Sequence, residues 1–167
     1  NLYGYTKYGA DCFIQTIAKR YYIFRIPVLL GETVKDTQFV EKMLQKVKEG
    51  QGNLKISDDI ISSPTYSKDV AKEVRRILDA SYQFGLYHIA NEGKASLYDL
   101  MKEITKNLTL DVKVEKASYR DFPFLGIKNT FTPIKSKKVA PLRHWKEAVK
   151  EYCDNIKKMG LRVSYDR

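Results

Sequence analysis

Tyr3 and Lys7, in the stretch Tyr3-Gly4-Tyr5-Thr6-Lys7, stand four residues apart. On a helix both side chains lie on one face, about one turn apart. A phenol beside an ammonium suits proton transfer. The positive charge favours phenolate, and such a Tyr passes a proton to or from a substrate oxygen as general acid or base. Spacing alone does not decide the matter. Among 12 Tyr and 30 Lys and Arg, roughly one or two Tyr-x-x-x-Lys pairs arise by chance. Tyr98 and Lys102 form a second one. The elements that position the first pair must decide.

Those elements read as alternating helices and strands. Residues 3–20 are helical in pattern, with Ala10, Phe13, Ile14, Ile17 and Ala18 predicted to bury one face. Residues 22–26 are β-prone and nearly all apolar, like a strand buried on both faces of a parallel sheet. Pro27 should end it, and Gly31 opens a loop. Residues 38–48 form a helix with Phe39, Val40, Met43, Leu44 and Val47 on its apolar side, stopped by Gly50-Gln51-Gly52. Asn53–Ser57 is a short strand with Leu54 and Ile56 on one side, and 58–64 is a polar loop. Ser67 is placed to cap a helix whose stripe is Val70, Ala71, Val74, Ile77 and Leu78.

Residues 85–90 are another buried strand. Ser96-x-x-Asp99 resembles a capping box with Asp for Glu, and its helix carries Leu97, Leu100, Met101 and Ile104 inward to about Asn107. Residues 111–116 alternate as a strand, Val112 and Val114 inward. Residues 118–141, with four Pro or Gly breaks, are a long functional or covering loop. The last helix, 145–159, buries Trp145, Val149, Tyr152 and Ile156, and Gly160 closes it. The alternation predicts an α/β fold. No Gly-x-Gly-x-x-Gly turn occurs, and the chain opens inside a helix. The expectation is a C-terminal portion of a longer polypeptide.

Length and composition set the class. At 167 residues the chain is one ordinary domain with room for a core. An apolar share of 43% with 30% charged residues excludes a disordered chain. No apolar run reaches the 18 residues of a membrane span, and no secretory leader is visible. Cys12 and Cys153 form neither a disulfide scaffold nor a metal spacing, which fits a cytoplasmic protein without a metal site. The net charge of +10 is scattered over helix faces, so solvated faces with some attraction for an anionic ligand are favoured over nucleic-acid binding.

Five segments, in order, carry a resemblance. They are Tyr3-Gly4-x-Thr6-Lys7 with Asp11 where Glu is common; Phe24-Arg25-Ile26-Pro27-x-x-x-Gly31; Ser63-Pro64-Thr65-Tyr66-x-x-Asp69-Val70-Ala71; Gly85-x-Tyr87-His88-x-Ala90-Asn91-Glu92-Gly93; and His144-Trp145-Lys146-x-Ala148. Together they resemble extended short-chain dehydrogenases/reductases of the dTDP-4-dehydrorhamnose reductase family. The resemblance implies the C-terminal portion of a Rossmann-type doubly wound parallel sheet with a smaller α/β substrate lobe. Residues 1–30 would end the dinucleotide-binding domain. Residues 31–167 would mainly form the lobe, with 53–90 returning to the main sheet.

It also implies roles. Tyr3 would protonate a sugar carbonyl as hydride arrives from NADPH or NADH, and Lys7 would hold the nicotinamide ribose. Ile26 and Pro27 would contact the cofactor, although Pro27 reads equally as a strand terminator. Val28, Asn129 and Thr130 would contact a dTDP-sugar lying under 31–39, 62–66 and 118–138. A polarising Ser or Thr and the Gly-rich turn are expected upstream of Tyr3. A homodimer is expected, with no nucleic acid, membrane or metal. For Lys135, Lys137 and Lys138 a solvated face is favoured over neutralising a pyrophosphate. His88 is expected to be a core histidine and His144 a helix-start residue. Val28 stands where the family has a sugar-contacting Trp, and Ile127-Lys128 where it has Arg-Pro. The expected activity is 4-keto reduction of dTDP-4-dehydro-L-rhamnose. The alternatives are a regulatory subunit resembling the beta subunit of methionine adenosyltransferase, or another sugar-nucleotide epimerase or dehydratase.

Overall fold

The computed structural model describes residues 2–31, 38–123 and 126–159. In order, its elements are α1 (Leu2–Ile17), β1 (Tyr22–Arg25), β2 (Leu29–Leu30), α2 (Phe39–Lys48), β3 (Asn53–Ser57), β4 (Ile61–Ser62), β5 (Thr65–Tyr66), α3 (Ser67–Asp79), β6 (Gly85–His88), β7 (Asn91–Glu92), β8 (Ala95–Ser96), α4 (Leu97–Leu108), β9 (Lys113–Ala117), β10 (Leu142–His144) and α5 (Trp145–Lys158). β1 runs parallel to β6, from Tyr22 opposite Gly85 to Arg25 opposite His88. A parallel pair needs a long crossover, and α3 is its final element. β2 with β5, β3 with β9 and β7 with β10 are also parallel, while β4 and β8 run antiparallel. The fold is the expected α/β, with Rossmann-like parallel pairing.

Two apolar clusters hold it together. The larger joins α2, α4 and α5 to β3 through Val40, Leu44, Val47, Leu54, Ile56, Leu100, Met101, Ile104, Val149 and Ile156. The smaller joins α3 to β6 through Val70, Ile77, Tyr87 and Ile89, with Val139 folded in. A fully buried side chain such as Val149 or Ile104 contributes roughly 1.5–3 kcal/mol. Local chemistry sets the ends. α2 stops at Gly50, φ +89°; Gly50 N–H bonds Val47 O, and Gln51 N–H bonds Lys46 O. That pair of bonds is a Schellman motif. At α4 the capping box is complete: Asp99 N–H donates to Ser96 Oγ (3.0 Å) and Ser96 N–H to Asp99 Oδ2 (3.2 Å).

Several expectations are corrected. α1 buries no residue; Phe13 and Ile17 stay exposed, and no described element covers them. Periodicity tells which residues share a face, not whether that face has a partner. β1 ends at Arg25 rather than Ile26, and Ile23 is its one buried residue. Ser67 is the first residue of α3, not its cap; Tyr66 holds the cap position. On α3, Ala71 and Leu78 are exposed, whereas Asp69 and Glu73 are buried. Each buried carboxylate has an arginine partner, Arg143 for Asp69 and Arg76 for Glu73, which offsets part of the cost of burial. Residues 62–66 are buried rather than a solvated loop. His88 is half-buried, at the edge of the smaller core. Gly160 and residues 32–37 lie outside the described residues.

Gly93 is a site where only glycine fits. Its φ is +98°, and an added Cβ would stand 2.7 Å from Trp145 Cδ1 and 2.9 Å from His144 Nε2. Positive φ costs an alanine about 1–2 kcal/mol, and overpacking adds about 1–3 kcal/mol. Gly93→Ala is expected to lower unfolding free energy by about 2–5 kcal/mol, read from urea denaturation. Gly52→Ala, where a Cβ meets nothing within 4 Å, is the matched control.

Candidate functional site

α1 and β1 are joined by a charged clasp. Arg25 Nε and Nη2 both donate to Asp11 Oδ2, at 2.9 and 2.7 Å. Asp11 lies six residues before the end of α1, a rise of about 9 Å. Arg25 lies three residues into β1, about 10 Å. The clasp therefore sets Asp11 beside the C-terminal end of the strand. Lys7 and Tyr3 lie about 6 and 12 Å farther along the helix axis, toward the N-terminus of α1. In open α/β sheets, ligands bind outside the carboxyl ends of the strands.

Tyr3 is 71% exposed, and Lys7 Nζ lies 5.5 Å from its ring centroid. The phenol and the ammonium are thus side by side and open to a ligand. Among the described residues Lys7 makes no ion pair. The second pair has the same local geometry, with Lys102 Nζ 5.8 Å from the Tyr98 ring. Its surroundings differ: Tyr98 packs on the larger core and Lys116 also covers its ring. Position in the fold separates the two pairs, not the pairs themselves.

The strand end leads into the other predicted positions. Ile26 is exposed and Pro27 half-buried. Val28 O accepts from Thr65 N–H at 2.8 Å, and the Val28 side chain packs against the larger core. Asn129 and Thr130 are exposed. Thr130 O accepts from Ile61 N–H at 2.8 Å, and Thr132 N–H donates to Ile61 O at 2.9 Å. Residues 61–65 thus carry Thr130 at one end and Val28 at the other. Four residues span at most about 14 Å. The segment from Val28 and the segment from Thr130 are held on one platform. No hydrogen bond among the described residues ties Tyr3 or Lys7 directly to it.

The platform rests on a polar hub that the sequence did not disclose. Asn91 Oδ1 accepts from Tyr66 N–H (2.8 Å), and Asn91 Nδ2 donates to Asp69 Oδ2 (2.8 Å) and to Arg143 O (3.0 Å). Arg143 donates from Nε and Nη2 to the two Asp69 oxygens, at 2.8 and 2.9 Å. Its Nη1 also meets Glu151 Oε2 at 2.7 Å. Asn155 Nδ2 reaches Tyr66 Oη at 3.0 Å. The motif residues Tyr66, Asp69 and Asn91 are therefore scaffold. The available signal was slight: Asp69 precedes the apolar Val70-Ala71, and Asn91 follows the apolar Ile89-Ala90. A second carboxylate anchors the covering loop: Asp59 accepts from Ser57 Oγ, Ser118 Oγ and Tyr119 N–H. Burial raises its pKa, but those hydrogen bonds outweigh it and hold the carboxyl below its ordinary value.

The remaining candidates are inert or marginal. Burial pushes the Cys153 thiol up to about 12, so it packs as an apolar group. His144 caps α5, its Nδ1 accepting from Lys146 N–H. Among the described residues no group of His, Cys, Asp and Glu forms a metal set, and no helix is long and apolar enough to cross a membrane.

The model of the RmlD substrate binding domain matches residues 1–158. This chain belongs to that family. The RmlD domain is 28% identical over 155 residues to the spore coat polysaccharide biosynthesis protein SpsK of Bacillus subtilis, covering 90% of this chain and 53% of that protein. It is 30% identical over 128 residues to a dTDP-4-dehydrorhamnose reductase of Mycobacterium tuberculosis, covering 73% and 41%. A crystal structure of a dTDP-4-dehydrorhamnose reductase from Clostridium acetobutylicum superimposes with a TM-score of 0.83 at 28% identity, covering 93% of this chain and 55% of the other. The RmlD domain thus spans about half the length of the curated relatives it matches.

Proposed function

We propose that the polypeptide carrying this RmlD domain reduces the 4-keto group of a dTDP-linked deoxysugar, dTDP-4-dehydro-L-rhamnose, with NADPH or NADH, in cytoplasmic synthesis of dTDP-L-rhamnose for polysaccharide. The observation that supports the reading is the exposed Tyr3–Lys7 pair, with Lys7 Nζ 5.5 Å from the Tyr3 ring, on a helix clasped through Asp11 to Arg25 at the end of β1. Residues 1–30 then complete the dinucleotide side, and 31–167 form most of the sugar-nucleotide lobe.

The exposed ammonium of Lys7 and phenol of Tyr3 suit a ribose with two hydroxyls to hydrogen-bond. A nicotinamide cofactor, when bound, supplies hydride to the sugar carbon. Tyr3 donates its phenolic proton to the carbonyl oxygen, and Lys7 keeps a positive charge beside the ring as that proton leaves. Ile26 and Pro27 offer an apolar edge for the nicotinamide end, while Val28, Asn129 and Thr130 line the sugar side. Val28 packs into the core instead of presenting an aromatic ring. That favours a second reading, a non-catalytic dinucleotide-binding subunit of the methionine adenosyltransferase beta type.

One assay separates the two readings. Oxidation of NADPH or NADH is followed on addition of dTDP-4-dehydro-L-rhamnose. Sugar-dependent oxidation supports the reductase. A stable complex with an adenosyltransferase and no oxidation overturns it.

A further inference from the structure

The covering loop is rooted twice on one short stretch. After β3 the chain turns through residues 58–60 into β4. Ser57 Oγ shapes that turn, accepting from Ile60 N–H at 3.2 Å and donating to Asp59 Oδ1 at 2.7 Å. Asp59 holds the outgoing root of the loop: Oδ2 accepts from Ser118 Oγ at 2.6 Å, and Oδ1 from Tyr119 N–H at 2.8 Å. Ile61 holds the returning root: its N–H donates to Thr130 O at 2.8 Å, and its carbonyl accepts from Thr132 N–H at 2.9 Å. Positions 59 and 61 are two residues apart, about 7 Å at most. The chain leaves after Tyr119 and returns at Thr130 within that distance. Surface excursions whose ends lie this close are frequently functional.

The two roots differ in kind. The returning root is a backbone ladder, which most residue types can supply. The outgoing root hangs on one carboxylate, which also belongs to the turn leading to Ile61. Between the roots, residues 126–130 are exposed. Exposed residues pack on little, so the direction of this limb is set where it is rooted. Without the carboxylate, the next tie upstream is Ala117 O, which accepts from Asp58 N–H at 3.0 Å.

We propose that Asp59 is a positioning residue for sugar recognition: its carboxylate fixes the outgoing root, and with it the direction in which Asn129 and Thr130 are presented. Asp59 acts through the loop and does not touch the ligand. The proposal rests on the reading that Asn129 and Thr130 line the sugar side. Its size follows from chain entropy. With the root released, residues 118 and 119 must be ordered again on binding, and ordering about one backbone residue weakens affinity about tenfold.

The test is calorimetric titration of the polypeptide that carries this domain, with dTDP-L-rhamnose and dTDP as the two probes. Asp59→Ala is expected to weaken dTDP-L-rhamnose about tenfold and to leave dTDP unchanged. In turnover, KM for the keto sugar should rise by a similar factor while kcat holds, since Tyr3 and Lys7 are untouched. Asp59→Asn keeps one carbonyl acceptor and should fall between. Ser118→Ala removes one bond of the root and spares the turn at Ser57; it should move the sugar affinity in the same direction, and it decides the matter if Asp59→Ala does not fold. An Asp59 that only supports the fold would weaken both ligands together or neither, and either result overturns the proposal. Weaker dTDP-L-rhamnose binding by the variants, with no sugar-dependent oxidation by wild type, keeps the role of Asp59 and overturns the reductase reading. Sugar-dependent oxidation with KM unmoved in the variants does the reverse. Wild type that binds no dTDP-L-rhamnose overturns both.

Discussion

Replacing Tyr3 by Phe, in the polypeptide that carries this domain, is expected to lower kcat about 10²–10⁴-fold and to leave dinucleotide affinity unchanged. The substitution removes one O–H and keeps the ring over which Lys7 sits. The side chain is 71% exposed, so stability should change by no more than about 0.5 kcal/mol. A loss of turnover then reports proton transfer and not unfolding. KM for the sugar should hold while kcat falls, since the lost interaction operates in the transition state. Tyr98→Phe, the same change in the pair that packs on the core, is expected to turn over as wild type. Steady-state kinetics on the three proteins decides it; wild-type-like kcat from Tyr3→Phe would remove Tyr3 from the chemistry.

Asp69→Ala is expected to cause a large loss of stability, about 3–5 kcal/mol. Asp69 is 8% exposed and accepts from both Arg143 and Asn91. Its removal leaves a partly buried guanidinium with only Glu151, and takes from the Asn91 amide one of its two acceptors. For a domain of this size that corresponds to a Tm lower by roughly 6–20 °C, measured by calorimetry with urea denaturation as a check. Asp69→Asn keeps the volume and one acceptor, so its loss should be smaller. A Tm within 2 °C or so of wild type for Asp69→Ala, well below the shift expected from a broken buried pair, would show that the hub contributes little.

Much of the architecture was legible because it rests on local rules. α2, α4 and α5 follow their apolar repeats, and the Ser96–Asp99 box and Gly50 stop obey capping chemistry. β3 alternates over its first four residues as drawn from its sequence, whereas β9 begins at Lys113 rather than Asp111, and its Glu115 is half-buried like Val114. What was not legible depends on partners distant in sequence. Nothing in residues 10–18 says whether their apolar face is covered, and here it is open. Asp69 reads as a polar helix residue until Arg143, 74 positions away, neutralises it. Residues 62–66 read as a loop because serine, proline and threonine favour turns, yet parallel pairing to β2 and the hub bury them. At the site, the type and spacing of Tyr3 and Lys7 were visible. The Asp11–Arg25 clasp that ties their helix to the end of β1 required the strand's position.

The hub also bears on how the chain is made. Its bonds close loops of 22 to 89 residues, from Asp69–Asn91 to Tyr66–Asn155. Long-range closure is slow, since chain entropy is lost before the contacts form. During synthesis, Tyr66, Asp69 and Asn91 leave the ribosome several dozen residues ahead of Arg143 and Asn155. At a translation rate of about 5–20 residues per second, their buried polar groups wait for seconds without their final partners. The lobe can close only when α5 arrives. Nascent chains halted before Trp145 should therefore remain protease-sensitive around residues 61–69, whereas chains carrying α5 should not.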